Sequence, residues 1–195
     1  VIKYGGSILS DEKIRKGVLE DIVFLSFMGL KPLLVHGGGA NISERMRSTG
    51  KKAEFVDGLR VTDEKTLEMV EEELKKLNDT IVGELADLGA KSVSISGKNV
   101  IHVKKKEAKI DLGFVGDVSR IDAESILESL SGDTIGVILP LGRGPDKHAY
   151  NINADEAAAS VAGALKAEKL VLLTNVKGIS RSIDDPHSFI PTLTI

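Results

Sequence analysis

The chain has 195 residues, with 26 lysines and arginines against 29 aspartates and glutamates and a formal net charge of −3. At 42% hydrophobic and 28% charged residues, disorder and fibrous repeats are excluded, and the length suffices to bury a real core. The acidic balance and 4% aromatic content argue against a nucleic-acid partner, which needs basic excess and stacking rings.

The absence of cysteine rules out disulfides, thiolate zinc sites and a cysteine nucleophile, and fits a cytoplasmic chain. No apolar run approaches the roughly 20 residues of a bilayer span, so no membrane partner is expected. The first residues read as a core strand, so no signal peptide is expected either.

Val1–Tyr4 is the first expected strand, followed by a helix from about Asp11 to Met28 and a buried strand at Leu33–Val35. That strand runs into His36-Gly37-Gly38-Gly39, and a second helix covers about Asn41 to Thr49. Asp57-Gly58, set between apolar residues in Phe55–Val61, predicts a tight hairpin. From Asp63 a long helix carries Leu67, Val70, Leu74, Leu77, Ile81, Leu85 and Leu88 at spacings of three or four. Asp63 fits its N-cap and Gly89 its stop. The stripe reads as a core face, with a subunit interface as the alternative.

Ser92–Ile95 is a further strand, and Lys98–Val118 reads as polar β-ribbon in which Lys104, Lys105 and Lys106 form a solvated edge. A short helix at Asp122–Leu130 and a strand at Thr134–Leu139 lead to a Gly/Pro loop over Leu141–Lys147. Asn153 and Glu156 are spaced as a capping box for an Ala-rich helix. Leu170–Leu173 is the last expected strand. Alternating strands and helices predict an α/β fold, a three-layer α/β/α sandwich with a mainly parallel sheet.

Three glycine runs follow apolar strands: Gly5-Gly6, Gly37-Gly38-Gly39 and, more weakly, Gly142-Arg143-Gly144. Backbone N–H groups in such turns cradle anions at the carboxyl ends of parallel strands, although plain turns look the same. Neither a Walker A run nor G-x-G-x-x-G occurs. Lys3 either reaches solvent or neutralises a transferring phosphoryl group. Arg60 is either an edge residue or a bidentate fork for a carboxylate. Asn153 and Asp155 are explained by helix capping and the helix dipole; Asn151 is less easily explained, since strands disfavour asparagine. The four histidines, His36, His102, His148 and His187, are scattered, so no metal site is expected.

Six runs together resemble acetylglutamate kinases of the amino acid kinase family. They are Lys3-Tyr4-Gly5-Gly6, Val35-His36-Gly37-Gly38-Gly39, Gly58-Leu59-Arg60-Val61-Thr62-Asp63, Gly113-Phe114-Val115-Gly116, Tyr150-Asn151-Ile152-Asn153-Ala154-Asp155 and Ala167–Thr174. The resemblance implies transfer of the ATP γ-phosphoryl group to the side-chain carboxylate of N-acetyl-L-glutamate, with Mg2+ arriving on the nucleotide. It implies catalytic roles for Lys3 and Asp155, substrate binding by Gly37, Gly38, Gly39, Arg60 and Asn151, and nucleotide binding by Gly5, Gly6, Thr174, Asn175 and Gly178.

By the same resemblance, residues 1–145 form an acetylglutamate-binding and dimerisation lobe. Residues 146–195 begin a nucleotide-binding lobe that is expected to be incomplete. A homodimer using the long helix is expected, with a hexamer as the alternative. The chain departs from the family pattern at Asn175, where Asp is usual, and at Asp79, where Lys follows Asn78. The family's second catalytic lysine, placed after a Gly-Gly-Met stretch, is not reached by Ile195. Two alternatives stay open: a kinase for an N-protected 2-aminoadipate, and a non-catalytic ligand-binding module.

Overall fold

The computed structural model describes residues 1–5, 9, 11–176, 178–182, 185 and 187–193. Five parallel strands form the central sheet: β1 (Ile2–Tyr4), β2 (Leu33–His36), β5 (Ser92–Ile95), β8 (Ile135–Ile138) and β11 (Val171–Leu173), in the order β11-β1-β2-β8-β5. Helices α1 (Glu12–Phe27) and α3 (Glu64–Asp87) cover one face, and α5 (Ala123–Ser129) and α6 (Ala154–Ala164) the other. This is the expected α/β/α sandwich.

Strand periodicity sets the layers. In β2, Leu34 packs with Leu19, Ile22, Leu77 and Ile81 of α1 and α3, while Leu33 and Val35 pack with Ile126, Ala157 and Val161 of α5 and α6. A parallel strand buried on both faces is therefore apolar throughout rather than alternating. The same alternation sends Tyr4 into the α1/α3 core and leaves adjacent Lys3 facing α6.

Local chemistry places the helix starts. Asp11 accepts the Ile14 N–H at 3.0 Å, and Asp63 accepts the Thr66 N–H at 2.8 Å. Asn153 accepts from Asp155 and Glu156 N–H groups. Each satisfies a first-turn donor that the helix cannot. Strands β3 (Phe55–Val56) and β4 (Leu59–Arg60) form the predicted hairpin, with Asp57 at φ 49° and Gly58 at φ 78°, the mirror-image turn that suits a two-residue loop.

Two expectations are corrected. The Leu141–Lys147 stretch is not wholly loop: β9 (Leu141–Arg143) pairs antiparallel with β10 (Ala149–Asn151) in a second sheet, with β6 (Ile101–Lys105) and β7 (Gly116–Ile121). Gly142 is there because a Cβ would overlap Val103, a packing reason rather than a turn. Residues Gly97–Val100 form a short helix, α4, where ribbon was expected. The lysine run lies on β6 and just beyond, and Lys105 and Lys106 are ion-paired with Asp111 and Asp117. Helix α2 (Gly39–Ser48) follows the His36–Gly38 turn and packs on α3.

Candidate active site

The carboxyl ends of β1 and β2, the β3–β4 hairpin and the N-termini of α2 and α6 meet at one cleft of about 250 Å3. Lys3, Gly37, Gly38, Gly39, Arg60, Asn151 and Asp155 all line it. These are residues singled out along 150 positions of sequence, brought together by the parallel sheet at the end where ligands bind in such folds.

Lys3 projects from β1 across the face opposite Tyr4, and its Nζ lies 3.0 Å from Asp155 Oδ1 in the first turn of α6. The lysine is 12% exposed and the aspartate 54%, so the ammonium sits on the cleft floor while the carboxylate stays wet. Gly5 lies directly under this ammonium: a Cβ there would come 2.6 Å from Lys3 Nζ.

The His36–Gly39 turn is fixed from beneath. His36 is fully buried, with Nδ1 2.9 Å from the Gly37 carbonyl and Nε2 3.1 Å from Asn78 Nδ2. A carbonyl only accepts, so Nδ1 carries the proton and Nε2 accepts from the Asn78 amide. Burial holds the imidazole neutral, with its pKa pushed down to about 4. The Gly37 N–H donates to Tyr4 O at 2.7 Å. Gly38 starts α2 without any side-chain cap, so the first N–H groups of that helix have no intrahelical acceptor and face the cleft. A Cβ at Gly38 would stand 2.6 Å from Leu74 Cδ2.

Arg60 is 5% exposed and has no ion pair among the described residues. Its Nη2 donates to Gly39 O at 3.0 Å and Ser43 Oγ at 2.8 Å, Nη1 lies 3.1 Å from Met46 Sδ, and Phe55 lies under the guanidinium at 4.6 Å. Burial lowers its pKa. A guanidinium held rigid, desolvated and without a counter-charge is a receptor for an anion. Asn151 completes this side, its Nδ2 donating to Thr62 Oγ1 at 3.3 Å.

Other expected site residues lie elsewhere. Thr174 and Asn175 follow β11 and are exposed, beyond the end of the strand paired to β1, and Gly178 stands at φ 135° against Phe189; none of the three lines the cleft. Gly6 lies outside the described residues. The Gly142-Arg143-Gly144 run, weakly read as a phosphate turn, belongs to β9 and its turn and does not line the cleft. Among the described residues no cluster of three or more His, Asp or Glu could hold a metal.

Sequence reasoning missed Ser43, Met46, Phe55 and Thr62. For Thr62 a signal existed: strand alternation puts residues 60 and 62 on one face. The contacts of Ser43 and Met46 depend on helix-to-hairpin packing, which leaves no local pattern.

The amino acid kinase family model matches residues 1–195. The chain belongs to the amino acid kinase family. Among curated relatives, an acetylglutamate kinase of Methanocaldococcus jannaschii is 44% identical over 207 residues, covering the whole of this chain and 69% of the relative. One from Caldanaerobacter subterraneus is also 44% identical, with 66% of its length covered. The chain thus spans about two thirds of these relatives.

Among solved structures, a Streptococcus mutans protein superposes with a TM-score of 0.83 at 31% identity, over 92% of this chain and 74% of that one. An N-acetylglutamate synthase of Neisseria gonorrhoeae, solved with coenzyme A and N-acetyl-glutamate, gives 0.81 at 27%, over 92% and 42%.

Proposed function

We propose that the cleft is the acceptor site of an acetylglutamate kinase, and that the protein to which this chain belongs phosphorylates the side-chain carboxylate of N-acetyl-L-glutamate with ATP, as a step in arginine biosynthesis. The observation that carries the reading is Arg60: a buried guanidinium with no ion-pair partner among the described residues, beside a glycine turn, in a chain 44% identical to an acetylglutamate kinase. Residues 1–145 supply the acceptor side, and 146–195 begin the nucleotide side.

In the reaction an oxygen of the side-chain carboxylate attacks the γ-phosphorus of ATP, the bond from that phosphorus to the β-bridging oxygen breaks, and ADP leaves. No proton moves, because the attacking carboxylate is already ionised at neutral pH. This accounts for a cleft with no titrating histidine: His36 is neutral and points away, toward Gly37 O and Asn78. What the site must supply is position and positive charge. Arg60 holds the α-carboxylate by its charge and by the N–H groups left free on Nε and Nη1, and Asn151 binds the polar groups beside it.

The Gly38 and Gly39 N–H groups at the α2 N-terminus donate to the γ-phosphoryl oxygens, while Gly37, whose own N–H is held by Tyr4 O, shapes the turn that presents them. Lys3 neutralises charge on that group, and Asp155 aims its ammonium. Gly5 and Gly6 are assigned to phosphate binding, and Thr174, Asn175 and Gly178 to the border of the nucleotide. The described residues form no metal cage, so Mg2+ is assigned to the nucleotide complex and no step is routed through it.

Two finer points belong to the same reading. A homodimer is supported by apolar surface at the end of α1, where Phe24, Phe27 and Met28 are each more than 60% exposed; the apolar stripe of α3 is spent on its own core. Cytoplasmic residence is supported by the absence of cysteine.

Calorimetry with N-acetyl-L-glutamate, together with acetylglutamate-dependent ADP release by the intact protein, tests the assignment. Preference for an N-acetylated 2-aminoadipate would move the substrate one methylene longer, and binding without ADP release would make this a ligand-binding module. Absence of binding would sink the reading.

A further inference from the structure

Thr62 is completely buried, yet it carries a hydroxyl in the strip of chain leaving β4. Its Oγ1 donates to the Arg60 carbonyl at 2.8 Å. The single hydroxyl hydrogen is thereby used, and the oxygen can only accept from its second partner, Asn151 Nδ2. That decides a choice otherwise open for an asparagine: the NH2 end of the amide faces Thr62, and the carbonyl end is turned the other way. Among the described residues no hydrogen bond engages Asn151 Oδ1, and Asn151 lines the cleft.

The backbone around Thr62 makes the arrangement stiff. Its N–H donates to Leu112 O at 2.9 Å, its carbonyl accepts from Phe114 N–H at 2.7 Å, and the Phe114 carbonyl accepts the Asn151 N–H at 2.9 Å. The close passage needs Gly113, whose φ is +72° and whose Cβ would overlap the Thr62 carbonyl. Thr62, residues 112–115 and Asn151 thus form one laced unit that fixes the distance between Arg60 and Asn151.

We propose that Thr62 is a positioning residue: it locks the Asn151 amide with Oδ1 toward the acceptor substrate, so that the site presents a cationic donor and a neutral hydrogen-bond acceptor at fixed separation. Such a pair selects an α-carboxylate flanked by an N–H donor. The proposal rests on the acceptor-site reading above and deepens it.

The decisive comparison is Thr62→Val against Thr62→Ser in the intact protein. Valine keeps the shape and removes the hydroxyl, whereas serine keeps both hydrogen bonds. Calorimetry with N-acetyl-L-glutamate should show affinity reduced by about tenfold for valine and restored to within about threefold of the parent by serine. ATP affinity should stay unchanged in both. A merely structural role would lower melting temperature without this split between the two ligands.

A ligand-free readout covers a valine variant that fails to fold. In the parent protein the Asn151 side-chain amide resonances, assigned through Asn151→Asp, should show one slowly exchanging, hydrogen-bonded Nδ2 proton. Parent-like affinity in the valine variant, no rescue by serine, or a freely exchanging Asn151 amide overturns the proposal. A parent protein that binds no N-acetyl-L-glutamate overturns the functional reading instead, while the amide exchange still decides the role of Thr62.

Discussion

Replacing Arg60 by methionine separates binding from stability. The side chain that would be lost donates to Gly39 O and Ser43 Oγ and lies over Phe55. The two hydrogen bonds contribute about 1 kcal/mol each and the ring contact about 0.5–1 kcal/mol. Against this stands a charge that is 5% exposed and has no ion pair among the described residues; relieving its desolvation returns a few kcal/mol. A methionine of similar length, placed beside Met46, fills the space. The free protein should therefore melt within about 3 °C of the parent, roughly 1 kcal/mol for a chain of this size.

Binding should behave differently. A charge-assisted hydrogen bond between guanidinium and carboxylate is worth up to about 3 kcal/mol, so affinity for N-acetyl-L-glutamate should fall about 150-fold. With the ligand at 100 times the parent Kd, linkage stabilises the parent by about 2.7 kcal/mol and the variant by only about 0.3 kcal/mol. In a thermal melt that is a ligand-induced shift of roughly 5–11 °C against about 1 °C. Differential scanning fluorimetry with and without the ligand, backed by calorimetry, reads both quantities. A variant that keeps affinity within threefold would refute the receptor role. A free protein destabilised by more than about 3 kcal/mol would show that Arg60 is retained for the fold.

Lys3→Met should leave N-acetyl-L-glutamate affinity within about threefold yet lower phosphoryl transfer by at least about 100-fold, measured as ADP release by the intact protein, because charge neutralisation counts mostly in the transition state. Gly38→Ala should lower stability by about 1–3 kcal/mol in urea unfolding, since its methyl would press on Leu74 in a packed core. His36 gives a pH signature. Its folded pKa of about 4 lies below the unfolded value of 6.5, so the unfolded chain binds the proton first. The neutral ring's contribution is complete above pH 6.5 and is lost as pH falls from 6.5 towards 4, by about 3 kcal/mol in all. Asp63, pulled down to about 2 by Lys51 and Thr66, titrates in a lower window, below pH 3.8. Urea unfolding at pH 7, 5.5 and 4.5 should show the loss in the parent and a flatter profile in His36→Gln; equal slopes would contradict it.

Much of the frame was legible because its signals are local. Asp11, Asp63 and Asn153 announce their helices by cap chemistry, and Asp57-Gly58 announces its turn by the backbone it needs. The parallel sheet follows from apolar runs without alternation. The misread segment, Leu141–Arg143, shows the limit: Gly142, Gly144 and Pro145 look like loop chemistry, but the first of these glycines exists for contact with Val103, a residue some 40 positions earlier in the chain. At the site, Lys3, Arg60 and the glycine turn could be singled out from residue type and position. Whether Arg60 was exposed or buried could not, because its burial depends on α2 folding back across the hairpin. The neutrality of His36 likewise comes from its burial under packed elements, and its ring is oriented by Asn78, a partner 42 residues away on another element.

The crowding between Gly5 and the Lys3 ammonium bears on which changes the protein can hide. Among the described residues, an alanine methyl at position 5 would meet the end of the Lys3 side chain first, and the fold should tolerate a shift of that tip. The displaced tip, however, is the charge on which phosphoryl transfer depends. Selection for solubility or heat resistance would let such a substitution through unnoticed, and only selection for turnover would remove it. Positions 3 and 5 thus form a single unit of inheritance, joined by the space the lysine tip occupies.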